Sequence, residues 1–253
     1  MTSVTTITIS TYEEAQKKME KNNRKAPTKP KSSKEVGQPM VFDIIIDISV
    51  SMDTLYDELV KSFNTIMIPA LAKASESYKG GMRTGCLLFS DELIPAWEGF
   101  KTLDELGKEP LKRSALNHSG LRGWTALYGA MRAGVLWTAA GMEYLRKRGE
   151  GEVAKGKIIV LSDGANNRPP EREAAVANAF NEIPALERRN IQSLIGFFKT
   201  GGGLSESDFQ VMAKKTGFEG LGYYDLTKGK TLKEKQAAFR HYFEIFSSRA
   251  AAR

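Results

Sequence analysis

The stretch Val41-Phe42-Asp43-Ile44-Ile45-Ile46-Asp47-Ile48-Ser49-Val50-Ser51 decides how this chain reads. From Val41 to Asp47 it is rich in β-favouring residues and, apart from Asp43, continuously apolar up to its closing carboxylate. A strand with one wet face alternates apolar and polar residues, so an unbroken apolar run predicts a strand covered on both faces. The run then closes on a carboxylate and two hydroxyls at alternate positions, Asp47, Ser49 and Ser51, where the strand opens into a loop. Oxygen donors spaced in this way can turn toward one point, and hard cations such as Mg²⁺ take oxygen ligands in near-octahedral geometry.

Beyond this stretch the chain alternates strands with helical patterns. Apolar residues Leu59, Phe63, Ile66 and Met67 predict a helix over Leu55 to Ala74, and Met82 to Ser90 reads as a strand against which Leu93 to Phe100 hairpins. Ala126 to Arg148 is a second strong helix, and Lys157 to Ser162 is a second buried strand. Glu171 to Arg188 reads as a helix that Pro184 kinks or shortens, followed by a strand at Ile191 to Phe198. Ser205 to Thr216 is a helix stopped by Gly217; a weak strand near Gly220 to Tyr224 and a helix from Leu232 to Ser248 complete the pattern. Strands alternating with helices predict an α/β fold, a doubly wound and mostly parallel sheet flanked by helices. In such sheets ligands bind beyond the carboxyl ends of the strands, which directs attention to the residues just after each strand.

Two further segments deliver oxygen donors to that edge. Leu161-Ser162-Asp163-Gly164 ends a strand with a second carboxylate, and Gly120-Leu121-Arg122-Gly123-Trp124-Thr125-Ala126-Leu127 leads into a helix with Thr125 at or beside its start. Taken singly, Asp47, Ser49 and Ser51 are also ordinary helix-capping residues, and Asp163-Gly164 is an ordinary turn. Taken jointly, the Asp-x-Ser-x-Ser run, Thr125 and Asp163 resemble the metal-ion-dependent adhesion site (MIDAS) of the von Willebrand factor A (vWA) family, over roughly Met40 to Ser248. The resemblance implies a Rossmann-like vWA domain over residues 40–253. It also implies Mg²⁺ or Mn²⁺ held directly or through water by Asp47, Ser49, Ser51, Thr125 and Asp163. The partner is then a protein that supplies an Asp or Glu carboxylate, bound without turnover, as in bacterial intracellular stress-response proteins such as those of tellurium resistance. Two positions depart from the family pattern: Val50 stands where Gly is common, and Trp124 where a small residue is common.

Residues 1–39 read as a basic extension and linker. Asn22 to Pro39 is polar, lysine-rich and carries three prolines, while Glu13 to Glu20 suits a helix. Lys17, Lys18, Lys21, Arg24, Lys25, Lys29, Lys31 and Lys34 supply much of the net charge of +7. A solvated linker is the commoner role for such a segment, and nucleic-acid binding ranks below it because no nucleic-acid motif accompanies the charge. Met1 to Ser10 lacks the profile of a secretory signal, and no apolar run approaches the roughly 20 residues that cross a bilayer. With Cys86 as the single cysteine, the expectation is a soluble cytoplasmic protein with no intrachain disulfide. A metal-dependent hydrolase is the alternative reading of the site, but no general base or phosphate-binding lysine stands in a recognisable pattern. His118 reads as a loop residue, Asn166, Asn167 and Arg168 as possible rim residues, and Gly201-Gly202-Gly203 as a connection.

Overall fold

β1 (Met40–Asp47) is buried along its whole length, as its apolar run requires. It lies between β2 (Met82–Phe89) and β4 (Lys155–Ser162), parallel to both, with Ile44 paired to Cys86 on one side and Ile159 on the other. β3 (Leu93–Pro95) folds back antiparallel on β2, and β5 (Ile191–Lys199) and β6 (Glu219–Asp225) extend the parallel sheet beyond β4. The resulting order is β3-β2-β1-β4-β5-β6. The structure is a computed structural model, which describes residues 6–23, 39–76, 81–116, 125–150, 155–164, 172–201, 204–229 and 231–251.

Alternate residues of each central strand feed two cores. Phe42, Ile44, Ile46, Ile159, Leu161 and Phe198 face one side of the sheet; Ile45, Ile158, Val160, Ile195 and Phe197 face the other. Helices α2 (Tyr56–Ser62) and α3 (Ile68–Ser75) cover the first face. The short α4 (Leu103–Lys108) and α5 (Arg113–Leu116) add Leu116 to that core, with Leu111 between them. The second face is covered by α6 (Leu127–Lys147), buried over most of its length, with α7 (Glu173–Glu182), α8 (Ala185–Asn190) and α9 (Glu206–Thr216) beside it. The N-terminal helix α1 (Tyr12–Asn22) packs on α6 rather than on the sheet. Finally α10 (Leu232–Ala251) returns to the first face with Phe239, Tyr242, Phe243 and Phe246.

Two expected helices are interrupted at prolines. The helix expected over Leu55 to Ala74 is a 3-10 turn (Val50–Leu55), α2, a π-helical turn (Phe63–Met67) and α3. Pro69 near the start of α3 has no N–H to donate, and in a regular α-helix its ring would crowd the carbonyl four residues back; the backbone just ahead of it widens into the π turn. The helix expected over Glu171 to Arg188 stops at Glu182, because the residue before a proline is driven out of the α region: Ile183 has φ −87° and ψ 152°. Only Leu93–Pro95 of the expected hairpin arm is a strand. Gly217 closes α9 in the left-handed conformation at φ 77°, in keeping with its place after the last helical residue.

The described part of the N-terminal extension is docked on the domain. Ala15 and Met19 of α1 are fully buried against α6, and the Tyr12 hydroxyl donates to Glu143 at 2.6 Å. Asn23, expected in the linker, is buried instead; its side-chain oxygen accepts the Phe100 N–H at 3.0 Å and its carbonyl accepts the Tyr144 hydroxyl at 3.1 Å. Upstream, the Ile7 N–H donates to the Leu93 carbonyl, so this segment covers the β3 edge. Residues 24–38 lie outside the described residues, as do His118, Trp124, Asn166, Asn167, Arg168, Gly202 and Gly203.

Candidate metal centre

β1 and β4 are parallel neighbours, so the residues that leave their carboxyl ends emerge side by side. Asp47 closes β1 and Asp163 follows Ser162 at the end of β4; both are buried. The loop after β1 is held by the Ile48 N–H, which donates to the Phe89 carbonyl at 2.7 Å, and by the Tyr56 hydroxyl, which donates to the Ile48 carbonyl. The segment before α6 is held by the Ala126 N–H, which donates to the Ser90 carbonyl at 2.8 Å. The Ile48 and Ala126 bonds are backbone ties to the end of β2, and they bring the neighbouring Thr125 to the same edge.

The polar groups then form a connected chain. Asp47 accepts the Ser49 N–H at 2.8 Å on one carboxylate oxygen and the Ser162 hydroxyl at 2.7 Å on the other. The Ser49 and Ser51 hydroxyls are 3.1 Å apart, and the Ser51 hydroxyl donates to Asp163 at 3.0 Å. The second oxygen of Asp163 accepts the Thr200 hydroxyl from the end of β5. Thr125 is buried against Gly164, where an added Cβ would lie 3.1 Å from the Thr125 hydroxyl oxygen. The five residues singled out in the sequence therefore converge. Helix capping does not explain Ser49: it stands at the N-cap of the 3-10 turn, yet its side chain makes no capping hydrogen bond.

Val50 sits between the two serines with 52% of its surface exposed, so the β-branched residue projects outward rather than into the site. No described residue other than glycine has a positive φ, so the loop accommodates Val50 without left-handed backbone.

Two carboxylates in a buried place raise each other's cost of ionisation. Burial, then the Asp47 carboxylate, pushes the Asp163 carboxyl up to about 7 against the hydrogen bonds from Thr200 and Ser51. Burial likewise raises Asp47, against hydrogen bonds from Ser49 and Ser162. A cation held by Asp47 and Asp163 would relieve both effects, because opposite charge favours the ionised form. The donor set of two carboxylates and three hydroxyls is all oxygen, which suits a small hard dication such as Mg²⁺ or Mn²⁺. Among the described residues no three His, Cys, Asp or Glu side chains form an alternative metal cluster.

Ser162 and Thr200 are site residues that the motif does not contain. Ser162 stands one position before Asp163; Thr200 is the polar residue next after β5 at the same sheet edge. The sequence signal for Thr200 is its position directly after a strand, the place that Asp163 holds after β4.

Known proteins bear on the fold. No protein-family model and no curated protein matches the sequence. The structure resembles the PilB minor pilin of Streptococcus sanguinis, with a TM-score of 0.50 and 14% identity, covering 88% of this chain and 64% of the pilin. Looser likenesses are the ArnB paralog VWA2 of Sulfolobus acidocaldarius (TM-score 0.41, 18% identity, 79% and 44% covered) and proximal thread matrix protein 1 of the mussel byssus, solved with zinc in its MIDAS motif (TM-score 0.47, 12% identity, 84% and 49% covered). The chain has a vWA-like fold. It corresponds to less than two thirds of the length of each of these proteins.

Within this fold, the other polar candidates fall away from the site. Cys86 is buried in β2, where burial and the Asp43 carboxylate push its thiol up, away from reactivity. Tyr223 stacks on Phe197 at 5.5 Å and Tyr224 contacts Tyr242, which are packing roles. His241 is exposed on α10 beside Glu244. No helix among the described residues is long and apolar enough to cross a membrane.

Proposed function

We propose that this vWA domain is a metal-dependent protein-interaction module rather than an enzyme. Asp47, Ser49, Ser51, Thr125 and Asp163 would hold Mg²⁺ or Mn²⁺, directly or through water, and a partner's Asp or Glu would complete the coordination. The observation that carries this reading is the unbroken chain of hydrogen bonds from Asp47 through Ser49 and Ser51 to Asp163, with Thr125 against the adjoining turn. When bound, the metal supplies an electrophilic centre for an incoming carboxylate oxygen. The chain's own residues orient the donors: the two carboxylates would balance the charge of a dication, and five oxygen donors would leave a place in a near-octahedral set for a partner's carboxylate oxygen.

An intracellular bacterial setting, with tellurium resistance as one example, belongs to this proposal through the motif resemblance alone; the resemblance to a pilin does not argue for it.

The test is capture from a native lysate by the full chain, comparing Mg²⁺ with EDTA and wild type with Asp163→Ala. A protein retained by metal-loaded wild type, and lost with chelator or with the variant, supports the reading. Equal retention in all four conditions rejects a metal-bridged contact. Metal-stimulated phosphatase turnover that Asp163→Ala abolishes would replace the binding role with a hydrolytic one.

A further inference from the structure

We infer that Thr200 is a positioning residue that limits Asp163 to a single metal-facing oxygen and so biases the site against Ca²⁺. The inference rests on the proposed metal role and adds to it a residue outside the motif, contributed by a third strand.

Asp163 has two carboxylate oxygens with different partners. One accepts the Ser51 hydroxyl, on the side of Ser49 and the β1 loop; the other accepts the Thr200 hydroxyl from the end of β5. Thr200 therefore holds the oxygen that does not bond to Ser51, which leaves the oxygen bonded to Ser51 to serve an ion among the hydroxyls. Asp47 is arranged in the same way: Ser162 occupies one oxygen and the Ser49 N–H the other. Both carboxylates are buried, so neither has bulk water with which to exchange these hydrogen bonds freely. A hydroxyl donor is also neutral. It steadies the carboxylate without placing a positive charge that would repel the cation, as a lysine or arginine at position 200 would.

The consequence is selectivity. Mg²⁺ and Mn²⁺ suit near-octahedral sites in which a carboxylate gives one oxygen, whereas Ca²⁺ takes more ligands at longer distances and commonly draws both oxygens of one carboxylate. Bidentate binding by Asp163 requires that the Thr200 hydrogen bond be given up. Partners that orient a ligand typically change metal affinity by roughly tenfold to a hundredfold when removed.

The experiment measures MnCl₂ and CaCl₂ binding to the full chain by calorimetry, with the Mn²⁺ electron paramagnetic resonance spectrum as a second readout. The proteins are wild type, Thr200→Val, Thr200→Ser and Asp163→Ala. Thr200→Val keeps the shape and removes the donor, so Mn²⁺ affinity falls roughly tenfold. Its Ca²⁺ affinity is retained or rises, and its Mn²⁺ spectrum changes. Thr200→Ser restores both ions to wild-type behaviour. Unchanged affinities in Thr200→Val overturn the inference, as does an equal loss of both ions that Thr200→Ser does not rescue. If wild type binds neither ion, or Asp163→Ala binds as wild type does, the metal reading itself fails, and that result is distinct from the failure of Thr200 alone.

Discussion

Asp43 lies in the middle of β1 with no solvent contact, and replacing it with asparagine should make the domain more stable at high pH than at low pH relative to wild type. One carboxylate oxygen accepts the Thr138 hydroxyl at 2.7 Å, and the other has no partner. That second oxygen faces Gly85 across the β1–β2 ladder, where an added Cβ would lie 2.0 Å from it, so the site is filled on that side by the carboxylate itself. Burial pushes the carboxyl from 3.8 up to about 7, opposed by the Thr138 hydrogen bond. Between those values the unfolded chain has lost the proton and the native chain keeps it, so stability falls as pH rises, by about 1.4 kcal/mol per pH unit. The stabilisation is complete below pH 3.8 and is lost as pH passes through about 7, and summed over that window it is on the order of 4 kcal/mol.

Asp43→Asn removes this titration while keeping an acceptor for Thr138. Any cost of placing the new N–H₂ group on the Gly85 side, roughly 1–3 kcal/mol if it is left unsatisfied, does not vary with pH. The informative quantity is therefore the variant-minus-wild-type stability at pH 8 less the same difference at about pH 5, from urea unfolding at matched ionic strength. Other titrating groups cancel in that comparison. A positive value of about 2–4 kcal/mol is expected, since part of the loss has already occurred at the lower pH. A value within about 0.5 kcal/mol of zero would overturn this account, because it would mean that Asp43 is ionised at no cost in the native state.

Packing is tested at two positions. Met19→Ala, at a fully buried position of α1, should cost about 2–4 kcal/mol in urea unfolding and expose residues 6–23 to protease, whereas a surface-like effect would show that the helix is not docked. Gly196→Ala would place a Cβ 2.1 Å from the Tyr242 hydroxyl oxygen and 2.6 Å from the Phe246 ring, so it should lower stability by about 1–3 kcal/mol or more by forcing α10 off β5; an unchanged thermal midpoint would contradict that close approach.

Much of the fold is legible locally. The unbroken apolar run of β1, the helix stop at Gly217 and the breaks at Pro69 and Pro184 come from backbone chemistry close to each residue, although nothing in the apolar spacing marks the π turn before Pro69. Helices α4 and α5 are absent from the sequence expectations. The Thr102-x-x-Glu105 pattern of α4 is a capping box, and both of its hydrogen bonds form, so a local signal is present there. For α5, a single turn of four residues, hydrophobic periodicity has too short a window to register.

Local sequence is enough to mark the two ends of the metal centre: Asp47, Ser49 and Ser51 within five residues, and Asp163 at the end of another apolar run. Strand parity and the strand-to-loop transition are local properties, and they place those donors on one edge of any parallel sheet in which the two strands are neighbours. It takes the packed fold to make β1 and β4 neighbours, to bring Thr200 from β5 to the back of Asp163, and to draw α1 out of the expected extension onto α6. Those outcomes depend on which surfaces exclude water together, and that is settled between segments far apart in the chain.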